Sequence, residues 1–171
     1  MGDTIRPFPA KLILYYMINF SGEHLCRLDD KGRLKIPSAM LKQLPEEDKG
    51  SFYINRGFER CLILYPKSGW LNIVAEINKL NSFQEKTRKF KRHFYRGSTE
   101  LIIDSSDRIL LPKQLLVWAN LEKDITILGL SNYIEIWDTK AINEFFDEDS
   151  SEYSDLGEQV MGKANNDTKG N

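Results

Sequence analysis

The chain has 171 residues, of which 41% are hydrophobic and 29% charged, as in ordinary globular proteins. Its two cysteines, Cys26 and Cys61, are too few to staple a fold of this size or to form a four-cysteine zinc site, which favours a reducing compartment. No apolar run approaches the roughly 20 residues of a membrane helix. The net charge is −1, but residues 147–171 hold seven acids and two bases, so the remaining body is basic. The composition therefore argues against a membrane protein and against a disulfide scaffold.

One motif occurs twice in the same order. An aromatic residue, a glycine, an aspartate, an arginine and a proline recur at a constant separation of 75 residues. The first copy is Phe20, Gly22, Asp29, Arg33 and Pro37, and the second is Tyr95, Gly97, Asp104, Arg108 and Pro112. This repeat predicts a duplicated module, and such modules usually complete each other's core.

Each copy predicts the order strand, tight turn, strand, short helix, strand, turn, strand. The predicted short helices cover 38–44 and 113–119, directly after the two prolines. The later strands lie on either side of a glycine-containing turn, at 52–55 and 61–65 around Gly57, and at 125–128 and 133–137 around Gly129.

The two tight turns, Asp29–Arg33 and Asp104–Arg108, have the chemistry that such turns need. An aspartate side chain accepts hydrogen bonds from nearby backbone N–H groups, and Gly32 adopts a positive φ at little cost. Asp107 stands at the place of that glycine in the second copy. Aspartate tolerates the left-handed region better than most residues, so we expect the second turn to persist with some strain.

Two amphipathic helices are predicted between the copies, within 68–94. The first has an apolar stripe formed by Trp70, Ile73, Ile77 and Leu80. The second begins at a Ser-x-x-Glu capping box, and its phenylalanines are expected to face the core. These residues are Ser82 and Glu85 for the box, and Phe83, Phe90 and Phe94 for the core face.

The predicted organisation is thus a leader at 1–17, a first module at 18–67, linking helices at 68–94, a second module at 95–146 and a tail at 147–171. A last short helix covers 139–146 and packs Ile142, Phe145 and Phe146. The tail is acidic and poor in large apolar residues, which predicts disorder.

Several of these segments together resemble the MraZ family, bacterial regulators with two tandem modules of the SpoVT–AbrB type. The resemblance lies in Gly22-Glu23, Leu28–Pro37, Cys61–Pro66 with Trp70, Asp104–Arg108, Gly129 and Ile134–Trp137. It covers about 17–146. It implies an α+β, β-rich fold in which tandem swapped-hairpin modules form a double-split β-barrel with peripheral helices.

The same resemblance implies a function. Such a protein is expected to form a ring-like homo-oligomer and to bind double-stranded promoter repeats upstream of the division and cell-wall gene cluster, in the cytoplasm at the nucleoid. Residues 1–16 precede the usual start of the family, so we expect translation to begin at Met17. An intact mass that includes Met1 would contradict this expectation.

Arg33 and Lys31 are the first candidate DNA contacts. A tight hairpin presents both side chains at one end, and arginine binds phosphate or pairs with a guanine edge. The alternative is that Arg33 pairs with Asp29 to fix the turn, and the two roles are compatible. Asp29 and Asp104 are assigned to turn structure, because a carboxylate repels phosphate. Gly32 is assigned to turn structure as well, because it supplies the positive φ.

Arg27 and Lys35 flank the first hairpin and would add salt-dependent affinity, or else they are solvated strand charges. Arg108 is the second-copy equivalent of Arg33, with an inter-subunit or inter-module salt bridge as its alternative role. Residues 84–96 include six basic residues and one acidic residue. This segment is predicted to be a solvated helix, with DNA or a neighbouring module's carboxylates as alternative partners.

No catalytic signature is present. We find no partnered nucleophile and no glycine-rich phosphate loop, and His24 and His93 lack metal-ligand spacing. The sequence predicts a protein that is not an enzyme and has no metal, cofactor or small-molecule substrate. The alternative to a DNA-binding regulator is a protein-interaction or assembly module of the same fold without specific DNA binding.

Overall fold

The computed structural model describes residues 18–146 and 150–167, with the side chains of 150, 151 and 163–167 excepted. The expected leader at 1–17 and the expected start at Met17 lie outside these residues. The described residues up to Thr139 form one compact unit, and those from Lys140 form a second. The first unit therefore contains strands of both predicted modules, and only 140–146 of the second module fall in the other unit.

The order of elements is the one that the repeat predicts. The first module contains β1 (Glu23–Arg27), β2 (Arg33–Lys35), α1 (Ser38–Leu41), a 3-10 turn (Glu46–Asp48), β3 (Ser51–Arg56) and β4 (Leu62–Pro66). The linking helices are α2 (Lys67–Lys79) and α3 (Glu85–Tyr95). The second module contains β5 (Thr99–Ile102), β6 (Arg108–Leu110), α4 (Lys113–Trp118), β7 (Asp124–Leu130) and β8 (Tyr133–Asp138).

The strands form a six-stranded antiparallel sheet, in the order β1-β7-β8-β4-β3-β5, and a two-stranded antiparallel ribbon, β2-β6. The first strand of each module pairs with the third strand of the other, β1 with β7 and β5 with β3. Each module thus completes the other, as the repeat predicts. The strands and helices together confirm the predicted α+β class. Among the described residues β1 and β5 lie at opposite edges of the sheet, so no closed barrel is seen.

The β2–β6 ribbon lies on the pseudo-twofold axis that relates the modules. Leu34 pairs with Ile109, its counterpart 75 residues later, and both side chains are fully buried. Two further hydrogen bonds are reciprocal: the Ile36 N–H donates to the Asp107 carbonyl at 2.9 Å, and the Leu111 N–H donates to the Gly32 carbonyl at 3.0 Å. Each tight turn is therefore fixed to the strand of the opposite module.

Both modules supply the hydrophobic core. Its fully buried side chains include Phe20, Phe52, Leu62 and Leu64 from the first module, and Leu115, Ile127 and Ile134 from the second. Burial of a side chain of this kind contributes roughly 1.5–3 kcal/mol. The two sets pack in one cluster, so the core is shared between the modules.

The linking helices confirm one prediction and correct another. Trp70 and Ile77 of α2 are buried as predicted, but Leu80 follows the end of the helix and is 43% exposed, so the apolar stripe is confirmed only in part. The capping box is wrong, because α3 begins at Glu85 after Gln84, and no side chain caps it. Phe83 is 95% exposed, since it lies in the preceding turn, where its N–H donates to Asn81 Oδ1 at 3.0 Å.

The α3 helix itself lies on the surface, with no fully buried residue. Phe90 is 36% exposed, so only part of its ring is removed from water. Phe94 packs as predicted, stacked on Trp70 at 5.4 Å between ring centroids. Of the three phenylalanines that were expected to face the core, only Phe94 packs fully as predicted.

The end of the chain differs from the prediction in two respects. Helix α5 (Thr139–Phe146) has Ile142 buried, whereas Phe145 and Phe146 are 48% and 61% exposed. A further helix, α6, covers Ser150–Asp167 within the segment expected to be disordered. Tyr153, Leu156 and Val160 are spaced three and four residues apart, which is a helical period. The acidic composition of the segment had predicted disorder instead. No helix of the described part of the chain is long and apolar enough to cross a membrane.

Candidate nucleic-acid interface

The Asp29–Arg33 turn is held by the aspartate side chain. Asp29 Oδ1 accepts the N–H groups of Lys31 and Arg33, both at 2.9 Å, and Oδ2 accepts Arg33 Nε at 2.6 Å. Gly32 donates its N–H to the Asp29 carbonyl at 2.9 Å and has φ +79°, a value that favours glycine. The pairing of Arg33 with Asp29, considered above as an alternative, is therefore present.

The Asp104–Arg108 turn repeats this geometry. Asp104 Oδ1 accepts the N–H groups of Ser106 and Arg108 at 2.8 and 3.0 Å, and Oδ2 accepts Arg108 Nε at 2.9 Å. Arg108 Nη2 also lies 2.9 Å from Oδ2. Asp107 takes the place of the glycine with φ +61°, so the turn persists in the left-handed conformation.

Both aspartates are stabilised in their charged form. For Asp29, the hydrogen bond from the Arg33 N–H outweighs burial and, with the Arg33 guanidinium and the Lys31 N–H, lowers the pKa below its ordinary value. For Asp104, burial acts to raise the pKa, but the hydrogen bonds from Arg108 and Ser106 outweigh it and the pKa is lowered. Both turns therefore keep a fixed carboxylate that orients an arginine.

The ribbon brings bases of both modules onto one face. Arg33 pairs directly with Leu110, and Lys35 pairs directly with Arg108. Residues that oppose each other in antiparallel strands share a face, and alternate residues on one strand do as well. Arg33, Lys35 and Arg108 therefore lie together, opposite the buried face of Leu34 and Ile109.

The pairing also adds a residue that the sequence reasoning missed. Leu110 lies beside Arg33 on the basic face of the ribbon and is 58% exposed. Its place on this face follows from the pairing of β2 with β6 and has no signal of its own in the run Ile109-Leu110-Leu111. An exposed leucine among bases supplies an apolar contact, such as a thymine methyl group would accept.

The other two predicted contacts are not part of the ribbon strands. The Lys31 side chain is exposed at the tip of the first turn. Arg27 belongs to β1 of the larger sheet, where its Nε donates to Asp124 Oδ1 at 2.9 Å across the β1–β7 pair. Both members of this pair are about two-thirds exposed, 69% and 66%. Arg27 is thus a strand charge with a partner of its own.

The basic helix α3 uses two of its bases locally. Arg88 Nη1 donates to the carbonyls of Phe83 and Ser82 at 2.8 and 3.1 Å, and Lys91 Nζ donates to Ser82 Oγ at 2.8 Å. Within the described residues neither Arg92 nor Arg96 forms an ion pair with a carboxylate. This agrees with the prediction of a solvated helix.

The chain is similar to known proteins over most of its length. Residues 19–93 and 94–162 each match the family model described as "MraZ protein, putative antitoxin-like". The two matches begin 75 residues apart, the period of the repeat.

Three relatives are each named "Transcriptional regulator MraZ". The protein from Cytophaga hutchinsonii is 42% identical over 83% of this chain and 94% of its own length. The proteins from Christiangramia forsetii and Flavobacterium psychrophilum are each 39% identical, over 85% and 87% of this chain and 95% and 96% of their own lengths.

The fold and the site together define a tandem-duplicated α+β protein whose two modules exchange strands and present paired Asp–Arg turns. Two consecutive segments match one family model, and the three relatives are 39–42% identical to this chain. The chain belongs to the MraZ family.

Proposed function

We propose that this chain is a transcriptional regulator that binds double-stranded DNA through the β2–β6 ribbon and its first turn. The observation that carries the proposal is the register of the ribbon, which places Arg33, Lys35 and Arg108 on one exposed face. The names of the relatives support the same class of function.

Arg33 is the central contact of this proposal. An arginine has five N–H donors in a rigid fork, so its bond to Asp29 leaves donors for a phosphate or for a guanine edge. Because Asp29 already orients the side chain, less conformational entropy is lost when DNA binds. The ion pair therefore prepares Arg33 for binding and does not compete with it.

Lys31 and Lys35 bind phosphates beside Arg33, and Arg108 extends the contact on the second-module side. Lysine–phosphate contacts release counterions, so their share of the affinity falls as salt rises. Arg27 contributes less, because Asp124 offsets its charge. Arg108 contributes less than Arg33, because Asp107 lies beside it and two of its nitrogens contact Asp104.

The fold proposal is a double-split β-barrel of swapped hairpins, in which the ribbon and the six-stranded sheet form the two layers. Copies of the chain assemble into a ring, which places several ribbons on successive promoter repeats of the division and cell-wall genes. Individually weak contacts then add through multivalency. The protein acts in the cytoplasm at the nucleoid, and it is not an enzyme.

The test is fluorescence anisotropy with the chain's own upstream promoter DNA and a scrambled duplex across a salt series. Arg33→Ala is expected to weaken promoter binding by about 1–3 kcal/mol per engaged site. Lys67→Ala removes an exposed charge on α2, away from the ribbon, and serves as the matched control. Circular dichroism and size-exclusion chromatography verify that both variants fold and assemble like the wild type.

Equal and weak binding to both duplexes, unaffected by Arg33→Ala, would contradict the proposal and favour the assembly module. Apolar assembly is insensitive to salt, whereas binding through the ribbon weakens steeply with it.

A further inference from the structure

A groove of about 580 Å³ lies between the linking helices and the sheet of the larger unit, away from the ribbon. Apolar side chains form most of its walls: Ile63 of β4, Ile73 and Ile77 of α2, Phe90 and Phe94 of α3, and Trp118 at the end of α4. Its volume and its lining are typical of sites for small molecules, which commonly measure about 300–1,000 Å³.

Arg56 is part of the groove lining, and Arg60 lies near it outside the lining. The Arg56 guanidinium lies over the Trp118 ring, 5.1 Å from its centroid, and Arg60 lies 5.5 Å from the same ring. Arg60 also donates to the Trp118 carbonyl at 2.8 Å. Arg56 Nε is buried and has no hydrogen-bond partner among the described residues, nor has Oδ1 of the adjacent Asn55. A buried donor of this kind is costly to leave unpaired.

The charges around Arg56 make this part of the groove electropositive. Burial lowers the pKa of Arg56, and the neighbouring Arg96 and Arg60 lower it further. The carboxylate on the groove wall, Glu76, accepts a hydrogen bond from Lys79 Nζ at 2.5 Å, which offsets its charge. An anion placed near Arg56 would relieve the repulsion among the three guanidinium groups.

We propose that this groove binds an amphipathic carboxylate, a small molecule with one carboxylate on an apolar body. The carboxylate pairs with Arg56, and the apolar body lies between α2 and α3 against Phe90, Phe94 and Ile73. A charge-assisted hydrogen bond supplies orientation, and the apolar walls supply most of the binding free energy.

Helix α4 connects the groove to the first tight turn. It contributes Trp118 to the groove, and its Leu116 packs so closely at the turn that a methyl group at position 32 would lie 3.3 Å from Leu116 Cδ1. The bound molecule would thus lie one short helix away from Arg33.

The experiment is isothermal titration calorimetry of the full chain with decanoate and decylamine below their micelle concentrations and with 1-decanol below its solubility limit. We expect one saturable decanoate site per chain, with an affinity about tenfold or more above those of the alcohol and the amine, since only decanoate pairs with Arg56. Arg56→Gln is expected to weaken decanoate binding about tenfold. Lys89→Gln removes an exposed charge on α3 outside the groove and is expected to leave binding unchanged.

A second variant keeps the proposal testable if Arg56→Gln does not fold. Ile73→Trp fills the groove and is expected to abolish decanoate binding while Arg56 remains. Absence of saturable decanoate binding to the folded wild type would overturn the proposal. Equal affinity for the three amphiphiles, or decanoate binding unaffected by the folded groove variants, would overturn it as well. These titrations contain no DNA, so their failure is distinct from failure of the proposed function.

Discussion

The two tight turns of this protein have the same hydrogen-bonded frame and different tips. In both, the aspartate side chain accepts two backbone N–H groups and an arginine Nε, and the penultimate residue has a positive φ. The first turn has Lys31 and Gly32 at its tip, whereas the second has Ser106 and Asp107. The same hydrogen-bonded frame thus forms with two different tips, so the tips can be exchanged to measure what each contributes.

The largest effect is expected where the modules are most alike. Leu34 and Ile109 face each other at the centre of the ribbon, and each is fully buried. Leu34→Ala and Ile109→Ala are each expected to lower the free energy of unfolding by about 2–5 kcal/mol, from lost burial and the cavity that remains. Urea denaturation measures both. Destabilisation by only one of the two substitutions would contradict the symmetric ribbon.

Exchanging the residues at the two tips tests whether the turns differ in their contribution to DNA affinity. Lys31→Ser with Gly32→Asp gives the first turn the second tip, and we expect promoter binding to weaken by about 1–2 kcal/mol per site, because a phosphate contact is lost and a repelling carboxylate added. The reciprocal change, Ser106→Lys with Asp107→Gly, is expected to strengthen binding by a smaller amount. Anisotropy at two salt concentrations measures both, and an unchanged affinity in the first variant would show that the tip does not contact DNA.

The strain at the second tip is a smaller effect. Asp107→Gly relieves a left-handed backbone conformation that costs an L-residue about 1–2 kcal/mol, but glycine loses more entropy on folding. We expect a net stabilisation of up to about 1 kcal/mol in thermal or urea unfolding. Gly32→Ala is the mirror control and is expected to destabilise, since Leu116 also crowds that position. Destabilisation by Asp107→Gly would refute the strain argument.

The smallest difference between the turns is expected in their response to acid. The pKa of Asp29 and that of Asp104 are both lowered in the folded protein. Their stabilising contribution is therefore complete above the ordinary carboxyl pKa of about 3.9 and is lost as the pH falls through the folded values. Asp29→Asn and Asp104→Asn should each destabilise at pH 7, and less so in acid. Unfolding curves at pH 7 and pH 3.5 test this, and opposite pH trends would contradict a shared frame.

The sequence was sufficient to predict the repeat and the turns, because both depend on local chemistry. Asp29 and Asp104 bond to backbone groups two and four residues away, so their geometry follows from spacing alone. Even the strained Asp107 was predictable, since the constant offset placed it on Gly32.

The composition of the ribbon face was not predictable in the same way. Arg33 and Arg108 lie 75 residues apart, and they share a face because β2 pairs with β6 across the modules, a contact set by the tertiary fold. Leu110 was missed for this reason. Phe83 was expected to face the core because the Ser-x-x-Glu spacing places it inside α3, whereas the helix begins two residues later, at Glu85. The helix at Ser150–Asp167 was missed because the acidic composition of this segment predicts disorder.

The exchange of strands has a consequence for synthesis of the chain. Arg27 and its partner Asp124 are 97 residues apart, so β1 leaves the ribosome long before β7 exists. At translation rates of roughly 5–20 residues per second, β1 remains an unpaired strand for about 5–20 s. During that interval the edge of β1 that later pairs with β7 has unpaired N–H and C=O groups. Completion of the six-stranded sheet therefore waits for the second module to be synthesised.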